Sequence, residues 1–288
     1  MATATNLLEA VTPDVRPPSR SRSIVARTQG RRHGPVTRII SPAELGELIK
    51  PFVFLDLFDI AETGAPNFGW HPHSGIATLT LLHEGAIEYQ ETTGAKGVLP
   101  VGGVEWMRAG RGVWHTGAAL QSAKGFQLWI ALPPDLENAP CQSHYLAARE
   151  VAEEGPVRVI LGSHGGAKSA INAPQGIDYF DVRLAAGERW IYQPPSGHEV
   201  AWLAVSQGDL RTPEPVTAGE MVVFEESNAA LVIQAESPSR FVFGSAAKHP
   251  HDLVLGHYSV HTTAAALIEG ESEIRRIGNH FAQAGLLR

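Results

Sequence analysis

Two histidines flank a proline in "FGWHPHSGIATLTLLHEG", residues 68–85. In an extended strand, residues two apart share a face and lie about 6.5–7 Å apart, so His71 and His73 point one way and Pro72 the other. Two imidazoles at that spacing can grip one metal ion. Proline is accommodated at the first residue of a strand or on an edge, which puts the pair at a rim where an ion has access. An isolated His-x-His also reads as packed or surface histidines, so a third group matters. "MRAGRGVWHTG", residues 107–117, supplies it: the tight turn Gly110-Arg111-Gly112 leads into a short strand bearing His115. Three convergent imidazoles leave open positions on iron, nickel, copper or zinc, and imidazole ligation alone does not choose among them.

Other chemistry-bearing residues have plainer readings. His83 shares the parity of His71 and His73, but ten extended residues put it about 33 Å from His73 along a straight strand. "KHPHDLVLGHYSVH", residues 248–261, repeats the motif with His249 and His251 and adds His257 and His261. No glycine-turn histidine accompanies it, and the expectation is loop histidines bonded to backbone or water. Trp106, Trp114 and Trp129 read as barrel packing, with Trp114, beside His115, a candidate pocket wall. Arg108 and Arg111 flank the glycine turn and suit hydrogen bonds to loop carbonyls; Arg111 is also a candidate for lining the pocket and steering an anion. Cys141 has no CxxC partner and is expected to be unreactive.

The elements that must hold these groups are short strands broken by glycine and proline: "PFVFLDLFD", "GIATLTLLHEG", "GAIEYQET", "GVEWMRAG", "GVWHTG" and "GFQLWIALPP". After Pro133-Pro134, "DLENAPCQSHYLAAREV" reads as a connector with a short helix at most. A second series runs from "VRVILGS" near residue 157 to "SRFVFGS", and the repeated cadence predicts two β domains of about 110 residues each. In the last segment the period changes to a helical one. Thr262 or Thr263 can cap it, Ala266, Leu267, Ile274 and Ile277 form one stripe, and Gly270 is expected to interrupt the helix.

Bulk properties exclude several classes. With 43% hydrophobic and 18% charged residues, the 288-residue chain is globular rather than disordered. A single cysteine forbids an intramolecular disulfide, which fits a reducing cytoplasm. No apolar run reaches the roughly 20 residues of a membrane helix and no export-type segment follows Arg31-Arg32, so the protein is expected to be soluble and not exported, with no membrane partner. Residues 1–40 hold seven arginines against Glu9 and Asp14, a balance of +5, which leaves −12 for the rest of a chain whose total is −7. An acidic body repels a phosphate backbone, so nucleic acid is not an expected partner.

"PFVFLDLFD", "WHPHSGIATLTLLHEG" and "WMRAGRGVWH", in that order and spacing, resemble the pirin family of the cupin superfamily, over roughly residues 23–285. The resemblance implies an all-β fold of two tandem cupin (jelly-roll) β-barrels with a C-terminal helix. Its expected divisions are a flexible arm (1–22), an N-terminal metal-site barrel (23–140), a connector (141–156), a metal-free barrel (157–262) and the helix (263–288). It also implies iron held by an HPH pair, a later histidine and a glutamate two residues beyond. His71, His73 and His115 match the first three positions. Gly117 stands where the glutamate would be, and Ala77 where many pirins carry another acidic residue. Glu105 is the best substitute ligand, although it, Glu84 and Glu91 otherwise read as solvated or salt-bridged surface residues.

Two functions follow from the resemblance. One is a non-haem dioxygenase acting on an aromatic or enediol substrate at a three-histidine site, with Fe(II) ahead of Ni, Cu, Zn or Mn. The glutamate expected to deprotonate a flavonol is missing, which argues against quercetin-dioxygenase-like activity. The other is a metal-responsive regulatory or interaction protein with weak or no metal binding, whose partner is a protein rather than a small aromatic molecule. Monomer and dimer both remain open.

Overall fold

The computed structural model describes residues 22–61 and 67–286. Residues 1–21 of the expected arm lie outside the described residues. The N-terminal half is one antiparallel nine-stranded sheet. Its strands are β2 (Arg31–His33), β3 (Val36–Ile40), β4 (Phe52–Ile60), β5 (Asn67–His73), β6 (Ile76–Glu91), β7 (Lys96–Leu99), β8 (Val104–Arg108), β9 (Val113–Ala131) and β10 (Gln142–Leu146). A further strand, β1 (Ile24–Thr28), precedes them. The spatial order is β10-β8-β6-β9-β4-β3-β2, with β5 added to β9 and β7 to β6.

Long strands must bend to enclose anything. Register shifts at Leu82/Glu84 and Gly85/Ile87 break the β6–β9 ladder and turn both strands. Gly85 makes the second bend at φ +75°, where any Cβ would collide with the Ser122 carbonyl.

Alternation then sorts the side chains. Leu79 and Leu81 of β6, Val104 and Trp106 of β8, and Phe126, Leu128 and Ile130 of β9 face the C-terminal half. There they share one core with Trp202, Ala204 and Val242. The intervening Thr80, Glu105, Gln127 and Trp129 face inward and line a cavity. On these three strands the apolar positions turn outward because that face is covered by the second barrel, and polar groups such as Thr80, Glu105 and Gln127 join aromatic ones on the inner face.

That barrel pairs a seven-stranded sheet with a four-stranded one. Its interior is filled by Phe180, Trp190, Tyr192, Phe241 and Phe243 among others. At the junction Phe52 meets Trp202 edge-on at 5.3 Å. Beside them Asp181, fully buried, accepts from Arg240 Nε at 2.9 Å and Nη2 at 2.7 Å and from Arg158 Nη1 at 3.2 Å. His83, carried out of the interior by the first bulge, faces the same carboxylate at 3.4 Å. Parity put His83 on the face of His71 and His73, with distance against it as a ligand; the bulge instead puts it in the junction.

Four expectations need correction. Strand β1, assigned to the first barrel, pairs with Met221–Phe224 of the second. A five-residue alternating segment does not encode which sheet edge it joins. Arg22, assigned to the arm, is fully buried and donates to the carbonyls of Ala229 at 2.9 Å, Glu199 at 3.2 Å and Ser227. The connector contains β10, paired along its length with β8. The C-terminal helix runs unbroken from Ala264 to Gln283, capped by Thr263 Oγ1 accepting from Ala266 N at 3.1 Å. Gly270 does not interrupt it: a Cβ there would lie 2.6 Å from His261 Nε2 and 2.7 Å from Ser74 Oγ, so glycine permits close docking on the barrel. No helix among the described residues is long and apolar enough to cross a membrane.

Candidate metal centre

Strands β5 and β9 pair with His71 opposite His115, and His73 lies two residues further along β5. One ring nitrogen from each of the three lies within 4.8 Å of the others, the one such group of three or more His, Cys, Asp or Glu among the described residues. Ring centroids are separated by 4.4 Å for His71 and His115 and 5.1 Å for each remaining pair.

Backbone acceptors orient two of the rings. His71 Nδ1 lies 2.8 Å from Gly69 O, and His73 Nδ1 lies 3.0 Å from Tyr258 O. A carbonyl can only accept, so Nδ1 carries the proton and Nε2 keeps its lone pair. His115 Nε2 is buried with no hydrogen-bond partner. Burial pushes all three imidazoles below their ordinary pKa, His73 and His115 well below, and neighbouring rings push those two down further. Three neutral imidazoles with one stranded buried nitrogen fit a divalent transition-metal ion.

The cluster opens on a cavity of about 590 Å³ whose wall includes Phe54, Phe68, Trp70, Tyr89, Trp129 and Tyr258. Arg38 Nε donates to Asp56 Oδ1 at 2.5 Å, while its guanidinium carbon sits 4.1 Å over the Phe54 ring. Phe54 stacks on Trp129 at 4.0 Å, and Trp129 abuts His73 at 4.9 Å. A stacked aromatic pair in the cavity wall thus meets the histidine cluster edge-on. Tyr258 arrives from the far end of the chain and holds φ +60°, unusual for a bulky residue. That conformation presents both its carbonyl to His73 and its ring to the cavity.

Not every expected residue takes part as expected. Glu105 lies outside the three-nitrogen cluster, with Oε1 3.8 Å from His115 Nδ1, and it is buried. Thr80 Oγ1 donates to it, and Tyr145 OH lies 3.4 Å away; burial raises its pKa against the pull of those two hydroxyls. Glu91 is also buried, accepting from Tyr145 OH and from Ser143 Oγ at 2.8 Å. Only Glu84 of the three is exposed as expected. Arg111 is exposed and lines no described cavity, because its turn projects toward Glu273 of the C-terminal helix. Trp114 donates to Ile274 O at 2.7 Å and lines a neighbouring cavity of about 380 Å³ rather than the main one. Burial pushes the Cys141 thiol up to about 12, in keeping with an inert residue.

In the second motif, His249 and His251 face each other at 5.2 Å without a third ligand, and His257 is exposed. His261 is buried between Glu137 Oε2 at 3.1 Å and Ser74 Oγ at 3.0 Å. The residues missed from sequence are Tyr258, Tyr145 and Arg38, and the signal for the first was a tyrosine inside the second His-Pro-His segment, residues 248–261.

A profile of the pirin family matches residues 34–130. A pirin-like protein of Caulobacter vibrioides is 32% identical over 219 residues, covering 71% of this chain and 78% of the relative. The chain belongs to the pirin family. Pirin-like protein 2 of Arabidopsis thaliana is similar at 30% over 232 residues, 76% of this chain and 71% of the relative. In fold, this pirin matches a crystal structure of quercetin 2,3-dioxygenase from Acinetobacter baumannii with a TM-score of 0.82. That match has 22% identity and covers 89% of this chain and 98% of that one. A bacterial pirin of Escherichia coli, solved in complex with nickel(II), matches with a TM-score of 0.62 at 19% identity, over 79% and 96% of the two chains. The two-barrel, all-β architecture with its C-terminal helix is therefore that of pirins. Gly117 of this pirin lies on β9, two residues past His115, and lines the same cavity.

Proposed function

We propose that His71, His73 and His115 hold a divalent transition-metal ion, with Fe(II) ahead of Ni, Cu, Zn or Mn, and that this pirin is a metal-dependent dioxygenase for a planar aromatic or enediol substrate. The observation that carries this reading is the meeting of three neutral imidazoles, two of them tautomer-fixed by backbone carbonyls, in the wall of an aromatic cavity of about 590 Å³. That volume suits a small organic ligand. A bound ion supplies Lewis acidity and, for iron, redox chemistry with dioxygen. The chain supplies the rest. Gly69 and Tyr258 carbonyls fix two ligand rings, and the Phe54, Trp129 and Tyr258 rings flank a planar guest. Arg38 lines the same wall with its guanidinium paired to Asp56, so it offers N–H donors there without net positive charge. Gly117 offers no carboxylate near the ligands, so a substrate that already ionises near neutral pH fits better than a flavonol. A reducing cytoplasm suits both ferrous iron and the free Cys141.

The test is oxygen uptake by untagged protein loaded anaerobically with ferrous iron, across a panel of catechols, flavonols and enediols, beside the His71→Ala/His115→Ala double variant. Near-stoichiometric iron and turnover, both lost in the double variant, are expected. Absence of bound metal in the wild type overturns the reading, while bound metal without turnover favours the metal-responsive interaction protein.

A further inference from the structure

The three ligand rings are each backed by an acceptor, but the acceptors differ. Behind His71 and His73 stand backbone carbonyls, Gly69 O at 2.8 Å and Tyr258 O at 3.0 Å. Behind His115 stands a carboxylate, Glu105 Oε1, 3.8 Å from Nδ1. We propose that Glu105 is the positioning residue of this centre: it holds His115 as the Nδ1–H tautomer and lends the site the negative charge that Gly117 does not provide. This rests on the three-histidine reading above.

A chain of donors and acceptors fixes Glu105 in place. Thr80 Oγ1, on the neighbouring strand β6, donates to Glu105 Oε2 and lies 2.8 Å from the Gln127 side-chain amide. One hydroxyl proton cannot serve two acceptors. With the Gln127 amide turned over, its otherwise unpartnered Nε2 donates to Thr80, and Thr80 donates to Glu105. On the other side, Tyr145 from β10 donates to Glu91 and stands 3.4 Å from Glu105 Oε1. Oε1 is thus left short of a good donor while facing His115 Nδ1, and His115 Nε2 is the buried nitrogen without a partner. Both shortfalls close together when Nδ1 carries the proton and Nε2 binds a cation. An ion on Nε2 strengthens Nδ1–H as a donor, and a movement of under about 1 Å brings the pair to hydrogen-bond distance. A carboxylate backing a metal-bound imidazole raises the ligand's basicity, and losing one typically costs 10–100-fold in metal affinity.

The experiment is calorimetric titration of the metal-free full-length protein with nickel(II) against a competing chelator, for wild type, Glu105→Gln, Glu105→Asp and His71→Ala. Glu105→Gln keeps an acceptor for Thr80 and removes only the charge. It is expected to bind nickel about 10–100-fold more weakly at an unchanged metal-free melting temperature, and Glu105→Asp is expected to recover most of the loss. A Gln variant that binds as tightly as wild type overturns the inference while leaving the three-histidine site standing, provided His71→Ala abolishes binding. A wild type that binds no nickel overturns both. A further readout needs no variant to fold: imidazole ¹⁵N NMR of the zinc-loaded wild type should show all three ligand rings as Nδ1–H tautomers, and an Nε2–H tautomer at His115 refutes the assignment.

Discussion

Replacing Gly117 by glutamate puts a carboxylate where the family resemblance expects one, and the structure sets what that should do. Residue 117 lies on an extended strand and shares a face with His115, two residues away. A Cβ there meets Ile87 Cγ2 at 3.4 Å and Glu88 O at 3.7 Å, ordinary contact distances. Removing a glycine from a strand favours the fold by roughly 0.5–1 kcal/mol, so the backbone tolerates Gly117→Glu. In the metal-free protein the new carboxylate shares the cavity with Glu105 and gains a like-charge neighbour. With a divalent cation bound, a charge about 4 Å away at an effective dielectric of 20 is worth about 4 kcal/mol per unit charge. Desolvation of the carboxylate takes back several kcal/mol, leaving about 1.4–2.8 kcal/mol, or 10–100-fold tighter binding. Competitive titration with nickel(II), beside a melting curve of the metal-free variant, measures it. Affinity unchanged or weaker in a normally folded variant refutes the claim that residue 117 faces the ion.

Three further outcomes follow from the same geometry. Asp181→Asn strips a fully buried carboxylate from Arg158 and Arg240 and should cost about 3–5 kcal/mol in denaturant unfolding, whereas a loss below about 1 kcal/mol contradicts the junction described above. Burial and the nearby His251 and Lys50 push His249 down to about 4, so the unfolded chain binds its proton first. The metal-free protein should lose stability as pH falls from about 6.5 toward 4, and His249→Phe should flatten that slope. Tyr258→Gly keeps the carbonyl behind His73 and relieves the backbone at φ +60° but removes the ring. It should leave nickel affinity within about twofold while weakening aromatic ligands about tenfold, as judged by fluorescence titration.

The three histidines were legible because a period of two fixes which residues share a face, and β5 and β9 obey it. The carboxylates were not. Glu105 and Glu91 look like surface residues until Thr80, Tyr145 and Ser143 arrive from neighbouring strands to satisfy them. His83 broke the parity rule because a bulge intervenes, and a bulge leaves no mark in a run such as "TLLHEG". Gly270 reads as a helix breaker by propensity, yet close approach to His261 and Ser74 outweighs that local cost of about 1 kcal/mol. Tyr258 was the hardest to foresee, since 185 residues separate it from the ring it holds.

That separation governs when the centre comes into being. As the chain leaves the ribosome, His71, His73 and His115 emerge early and can pair as strands, but the carbonyl that fixes His73 and the ring that walls the cavity follow only after the second barrel has been made. In the other direction, the early strand Ile24–Thr28 waits for Met221–Phe224 before it has a neighbour. Each barrel is finished by chain from the other half, so neither half cut out by itself carries the whole site.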